Sequence, residues 1–425
     1  MTTGAPINVL DFGADNTGTI DSTTAINNAL STASNIAKAV YLPAGTYLYS
    51  GNGTLGTGVV VFGDGRNASV IQSSVSSPTN GFLFNAAGYG SGLKQLKFMA
   101  GVPQTGGTYV ALSGVESFIE DFEMQGDING INMTGSVARI RHGRFENGAT
   151  NAIRIYANGG DTSQLIDDVL MGAQLPQVCQ AGIQVQNSAA LIISNTSVIQ
   201  QGIGLYVTSN TSLDVFSMYV NNCFFDNNSG NALRFLANGS GNICRCRFSN
   251  CWFGSSTNDG IFIANPGTGL VQGLYFDSCH SVLNGASGLT TSDTVSDIVV
   301  TGGLFADNVN GMYFNAGATN CRVDNCTIGV GGGLNANSNA AIVMVTGASD
   351  IVVTSSTIRG NASGITAQAN VSNFVISDND LSGATSPITV VAGTSNYYII
   401  NNNILGGGTV SDGGTGSSKN VANNF

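Results

Sequence analysis

The chain is poor in charge. Only 9% of its 425 residues are Asp, Glu, Lys or Arg, against roughly a quarter in an ordinary soluble domain. Lys and Arg number 14 and Asp and Glu 25, a formal net charge of −11. Phosphate backbones are bound by clustered basic side chains, so this balance excludes a nucleic-acid partner and disfavours an anionic membrane surface. No apolar run approaches the roughly 18 residues of a membrane span, so membrane insertion is not expected. The opening stretch, MTTGAPINVLDFGAD, lacks a basic region followed by an apolar one, and so does not read as a secretory leader. Histidine occurs at His142 and His280 alone, and tryptophan only at Trp252. The 8 cysteines (179, 223, 244, 246, 251, 279, 321 and 326) include no C-x-x-C pair of the kind that holds zinc. No metal or cofactor is implied.

What is abundant is glycine, at 58 positions, together with Ser, Thr and Asn; apolar residues make up 42%. Disordered chains combine low hydrophobicity with high charge, so this composition instead describes a buried core threaded through many turns. Three segments align without gaps: FSMYVNNCFF (216–225), CRCRFSNCWF (244–253) and QGLYFDSCHS (272–281). Each carries Cys at one register. Equivalent positions are Phe122, Gly143, Val169, Thr196, Cys223, Cys251, Cys279, Gly303, Cys326, Ser356, Asn379 and Asn403, a recurrence of about 25 residues, within the range of solenoid repeats. The units are β-branched, alternate with a period of two and break at Asn or Gly, so they are strands and not helices.

One repeat suffices for a solenoid turn of three short strands, with equivalent residues about 4.8 Å apart on successive turns. Cys223, Cys251 and Cys279 then form an inward column of small buried thiols. The preceding residues Asn195, Asn222, Asn250 and Asn325 are expected to form an amide ladder at the corner. The fold class is all-β, a parallel β-helix of about 12–13 coils. Residues 21–30 read as a capped helix with Asp21 or Ser22 at its start and Ala25, Ile26, Ala29 and Ala33 on one face; laid over the solenoid end, it would cover bare core. The chain is divided into a cap (1–50), the solenoid (51–405) and a Gly/Ser-rich tail or final cap (406–425).

The run from Ile7 to Asp15, then Gly18, Asp21–Ile26 and Tyr41–Tyr47, resembles the N-terminal signature of the pectate-lyase-like superfamily, which includes bacteriophage tailspikes and polysaccharide depolymerases. The resemblance covers about 40 residues by signature and most of the rest by repeat pattern. It implies a right-handed parallel β-helix, a polysaccharide partner, a homotrimer, and an extracellular place on a virion or after secretion. It fixes no catalytic residue. Of the polygalacturonase motif set only Asp167-Asp168 is present, and Arg139-Ile140-Arg141-His142-Gly143 echoes two other motifs in one place.

Candidate site residues therefore come from the outward columns. One reads Tyr219, Arg247, Tyr275, Val299, Arg322; the next Asn221, Ser249, Asp277, Thr301, Asp324; a third Phe224, Trp252, His280, Leu304, Thr327. Aromatic planes interleaved with ionisable groups suit the apolar faces and hydroxyl edges of sugars. Trp252, Arg247, Tyr275, Tyr219 and Phe224 are the binding candidates; Asp277, His280, Asp226 and Asp259 are the catalytic ones. The same patch would also suit a subunit interface, or a stack made for stability. A second group, Glu120, Glu123 and Glu146, is the second choice for a catalytic acid or base; its structural reading is an ion-pair ladder, with Glu120, Arg141 and Asp167 in one column and Glu123 and Arg144 in the next. Three functions stay open: a hydrolytic polysaccharide depolymerase first, a lyase on a uronate polymer second, and a non-catalytic adhesin or virion protein third.

Overall fold

The structure, a computed structural model, describes residues 5–36, 38–126, 129–148, 152–160, 163–172, 179–210, 212–330, 333–406, 408–416 and 418–425. They form two compact units, 1–202 and 203–425. In the first, the chain enters by strand Ile7–Asn8 and a 3-10 turn, then forms helix Thr23–Ile36. Asp21 accepts the Thr23 N–H at 2.8 Å, and Ala25, Ile26, Ala29, Leu30 and Ala33 are buried. The helix packs on strands Val40–Leu42 and Gly53–Leu55, so it caps apolar surface as its pattern implied.

Parallel strands then stack turn on turn. Among the described residues of the first unit, one sheet holds 53–55, 82–86, 108–112, 129–133, 153–157 and 181–185, each paired in parallel with the next. The facing sheet is built from Gly92–Ala100, Phe118–Gln125, Arg139–Glu146 and Leu165–Met171. The second unit repeats the scheme with Ile203–Ser209, Leu233–Ala237, Ile261–Asn265, Leu289–Asp293, Asn310–Phe314, Ala340–Met344, Ser363–Ala367, Ser386–Val390 and Val410–Asp412 on one sheet. One such strand per turn makes about 15 turns, more than the 12–13 expected. The turns that were missed precede Phe122, where the glycine-rich stretches 50–58 and 101–107 disturb the spacing.

The register holds. Phe122 pairs with Gly143 and Gly143 with Val169; Phe224, Trp252, His280, Leu304, Thr327 and Thr357 follow one another on successive strands. Only the last position shifts by one. Asn402 is buried and bonded to Asn379, whereas Asn403 is exposed; within Asn401-Asn402-Asn403 only the burial pattern separates the three. All eight cysteines are buried and outside any disulfide. The register position also has a local requirement: Cys223, Cys251, Cys279 and Cys326 donate S–H to the carbonyl two residues back at 3.2–3.5 Å. Thr196 and Ser356 do the same with O–H. On these six turns a small donor fills the corner, and Thr, Ser and Cys interchange there.

The expected amide ladder is displaced. Asn195, Asn222, Asn250 and Asn325 are exposed, with φ between +50° and +53°; Asn occupies the left-handed region at little cost, so these residues turn the backbone. Amides instead stack within the core. Asn284, Asn308, Asn337 and Asn361 are linked side chain to side chain at 2.9–3.2 Å, and Asn379, Asn402 and Asn424 at 2.9–3.0 Å. The C-terminal segment is ordered as a further rung, Val410–Asp412 pairing with Ile388–Val390 and Lys419–Ala422 with Tyr397–Ile400.

Candidate functional site

In the second unit each turn runs along a long strand, bends at a left-handed residue and continues in a short one: Ile243–Ser249, Asn250, then Trp252–Gly254. Period-two alternation turns Tyr219, Arg247 and Tyr275 outward on the long strands and Phe224, Trp252 and His280 outward on the short ones. The rings of Phe224 and Trp252 stack with centroids 5.3 Å apart and planes 12° from parallel; His280 lies 6.0 Å beyond, tilted by 49°. Trp252 Nε1 donates to Asp226 at 3.0 Å. These rings, with Asn222, Asn250 and Ser278 at the corner, line an open cleft of about 460 Å³. Beside it the Arg247 guanidinium lies 6.0 Å from the Tyr275 ring centroid. Tyr219 and Tyr275 are 45% and 41% exposed, ample surface for a ligand.

The four acid–base candidates of this region do not assemble. Asp226 is committed to the Trp252 indole. Asp277 stands on the long-strand column, accepting from Ser278 at 3.2 Å. Asp226 lies two turns away and on the short-strand column, so lateral offset adds to an axial gap of about 10 Å. Asp259 leads into the other sheet, where it accepts from the Ser287 N–H at 3.0 Å and the Thr290 hydroxyl at 2.7 Å. His280 is exposed next to Trp252. Asp324, two turns from Asp277 in the same column, is held by Arg322 at 3.4 Å. Reading single columns misses that hydrogen bonds commit two of the carboxylates, Asp226 and Asp259.

Burial raises the Asp259 carboxyl above its usual range, against the bonds from Thr290 and Ser287. A raised folded pKa means the carboxylate destabilises the fold above that pKa and does nothing below the unfolded value of about 3.9. Asp259→Asn keeps an acceptor for both donors and should raise the melting temperature slightly at neutral pH. The gain should vanish below about pH 4. Thermal melts across pH check this; a variant less stable at pH 7 would show the charge to be needed.

In the first unit the expected ladder is partly rearranged. Glu120 and Arg141 pair at 3.9 Å. Glu123 is buried and takes Lys97 at 2.6 Å, while Arg144 takes Glu146 at 2.5 Å. Lys97 is the strand neighbour of Glu123 on the side opposite Arg144, a partner that reading only forward along the chain overlooks. Asp167 accepts from Ser194 and Asn195 at 2.6 and 3.0 Å. Burial raises its carboxyl, but these bonds and the charges of Arg141 and His142 outweigh that and hold it low. All three glutamates thus have basic partners, Arg141, Lys97 and Arg144.

A family model described as rhamnogalacturonase A/epimerase, pectate lyase-like, matches residues 6–303. The chain belongs to this family. A second model, right handed beta helix region, matches residues 235–404 of this pectate lyase-like chain. No curated protein sequence matches it significantly. Among solved structures it is similar to the N-terminal fragment of bacteriophage Phi29 gene product 12, with 14% identity, a TM-score of 0.58, and coverage of 98% of this chain and 72% of that one. The pre-mature form of the same phage protein gives 16% identity and a TM-score of 0.51, over 94% and 57% of the two chains. The Dettilon tailspike protein gives 14% and 0.46, over 92% and 68%. At these identities the likeness is one of fold.

Proposed function

We propose that this pectate lyase-like chain is a tailspike-like protein that binds a bacterial surface polysaccharide and cleaves it by glycoside hydrolysis. The observation that carries the reading is the open cleft formed by Phe224, Trp252 and His280 beside Arg247 and Tyr275. Exposed ring edges meet sugar C–H groups, and guanidinium and amide groups meet hydroxyls, in a groove open at the surface as a long polymer requires. Asp277 at its side is the carboxylate available to accept from sugar hydroxyls. Such a protein acts on a virion or in the extracellular medium. The tailspike likeness carries a homotrimer as part of the same proposal, because cyclic symmetry closes the contact among parallel solenoids. Light scattering that gave a single-chain mass over a wide concentration range would reject that part.

The test of function is a panel of purified capsules, O-antigens and exopolysaccharides, read for retention on immobilised polymer and for new chain ends. Reducing ends without unsaturation are expected. An unsaturated uronate would indicate elimination instead, and retention without new ends would leave an adhesin.

A further inference from the structure

The three register cysteines stand beneath the aromatic cleft. Cys223, Cys251 and Cys279 each precede one of its rings, Phe224, Trp252 and His280, and Cys223 and Cys251 line the cleft itself. They lie in register on successive turns, so their backbones are about 4.8 Å apart, inside the roughly 4.4–6.8 Å that a disulfide spans. The thiols also bond to one another along the column, Cys251 in the middle meeting Cys223 on one side and Cys279 on the other. The corner itself does not call for sulfur, since Thr196 and Ser356 fill it with a hydroxyl.

Elsewhere in the same unit burial pushes the Cys246 and Cys321 thiols up to about 12, so at neutral pH they keep their protons and stay inert. Cys251 departs from them. A thiolate there accepts S–H from Cys223 and Cys279, and these bonds outweigh burial and hold it below the usual thiol range. Cys279 moves the other way, raised by its bond to Cys251 and by burial, so the charge in the column rests on Cys251. A thiolate reached from an open cleft and flanked by a second thiol is the arrangement of a redox-reactive cysteine.

We infer that Cys251 is a peroxide-reactive cysteine with Cys223 as its resolving partner, and that their disulfide alters the cleft above. The Cys251 sulfur attacks one oxygen of hydrogen peroxide: the S–O bond forms, the O–O bond breaks and hydroxide leaves. The Cys223 sulfur then attacks the Cys251 sulfur. The S–S bond forms, the S–O bond breaks, and the oxygen departs as water with the Cys223 proton. Peroxide is reduced and two thiols are oxidised. Both cysteines thereby lose the S–H that each donates to the carbonyl two residues back. A disulfide also holds a torsion near 90°, which turns the two side chains out of their shared column and disturbs the stack of Phe224 and Trp252, the next residues along the chain. The effect on binding rests on the polysaccharide reading above, whereas the thiol chemistry does not.

The experiment treats wild type, Cys251→Ser and Cys223→Ser with hydrogen peroxide, counts thiols after denaturation, maps disulfides by mass spectrometry, and reads retention on the polymer found in the panel before and after. Serine already serves at this corner, so both variants should fold. Expected in wild type is the loss of two of the 8 thiols, a disulfide between Cys223 and Cys251, and retention weaker by roughly 10-fold that a thiol reductant restores. Cys251→Ser should keep all its thiols, and Cys223→Ser should stop at a sulfenic acid on Cys251, trapped by dimedone. An unreactive Cys251 in wild type, or another cysteine oxidised before it, overturns the inference, as does a disulfide that leaves retention unchanged. No retention by the reduced protein on any polymer brings down the functional reading instead, and the thiol count still decides the chemistry.

Discussion

Asn308→Leu should destabilise the second unit by about 3 kcal/mol, a large part of the 5–15 kcal/mol of a typical domain. The side chain is buried and fully used. Its Nδ2 donates to Ser281 O at 2.9 Å and Asn337 Oδ1 at 3.2 Å, and its Oδ1 accepts from Asn284 through both backbone N–H and Nδ2, at 3.0 and 2.9 Å. Leucine is of similar size, so the loss is one of hydrogen bonds and not of volume. A stranded buried donor or acceptor costs about 1–3 kcal/mol, and the Asn284 N–H and Ser281 carbonyl are both stranded. Because each turn contacts only its neighbours, hydrogen exchange should accelerate first in the turns around 281–337. Asn250→Gly is the control: it keeps the left-handed corner and should shift the denaturation midpoint little. Equal losses in the two variants would mean the ladder is not what holds these turns together.

Trp252→Ala should weaken polymer retention roughly 10- to 100-fold, that is one or two steps of 1.4 kcal/mol, as removal of a central aromatic anchor does. One face of the indole is already covered by Phe224 and the other is flanked by His280. A sugar therefore meets the rim of a stacked ladder, and a polymer lying along the axis touches several rims in turn. Asp226→Asn leaves an oxygen for the Trp252 indole N–H and should cost much less. Affinity electrophoresis against the polymer found in the panel separates these cases. Unchanged migration of Trp252→Ala would remove the cleft from the binding site, and a matched loss in both variants would make Asp226 the contact.

The solenoid was legible because its repeat recurs turn after turn: burial alternates along each strand, and several turns place a small donor such as Cys251, Thr196 or Ser356 at the same corner. The outward columns followed from that register. What one strand cannot show is which neighbour a side chain chooses. Glu123 had two basic residues in reach by column, Lys97 and Arg144, and only the structure places Lys97 at 2.6 Å. Asp226 and Asp259 read as available carboxylates because their donors, Trp252 Nε1 and Thr290 Oγ1, lie 26 and 31 residues away along the chain.

The core asparagines also bear on how the chain ages. Deamidation requires the backbone nitrogen that follows an asparagine to attack its side-chain carbonyl carbon, and Asn-Gly pairs are the most susceptible. Asn284 is followed by Gly285, yet the Gly285 N–H is bonded to Ser256 O at 2.8 Å. The same lock recurs at Asp380 and Asn403, which follow Asn379 and Asn402 and donate at 2.9 and 2.8 Å to Ser356 and Asn379. The ladder thus protects its own amides: the hydrogen bonds that stack one turn on the next also withhold the nucleophile, so chemical wear should gather on the exposed corner asparagines.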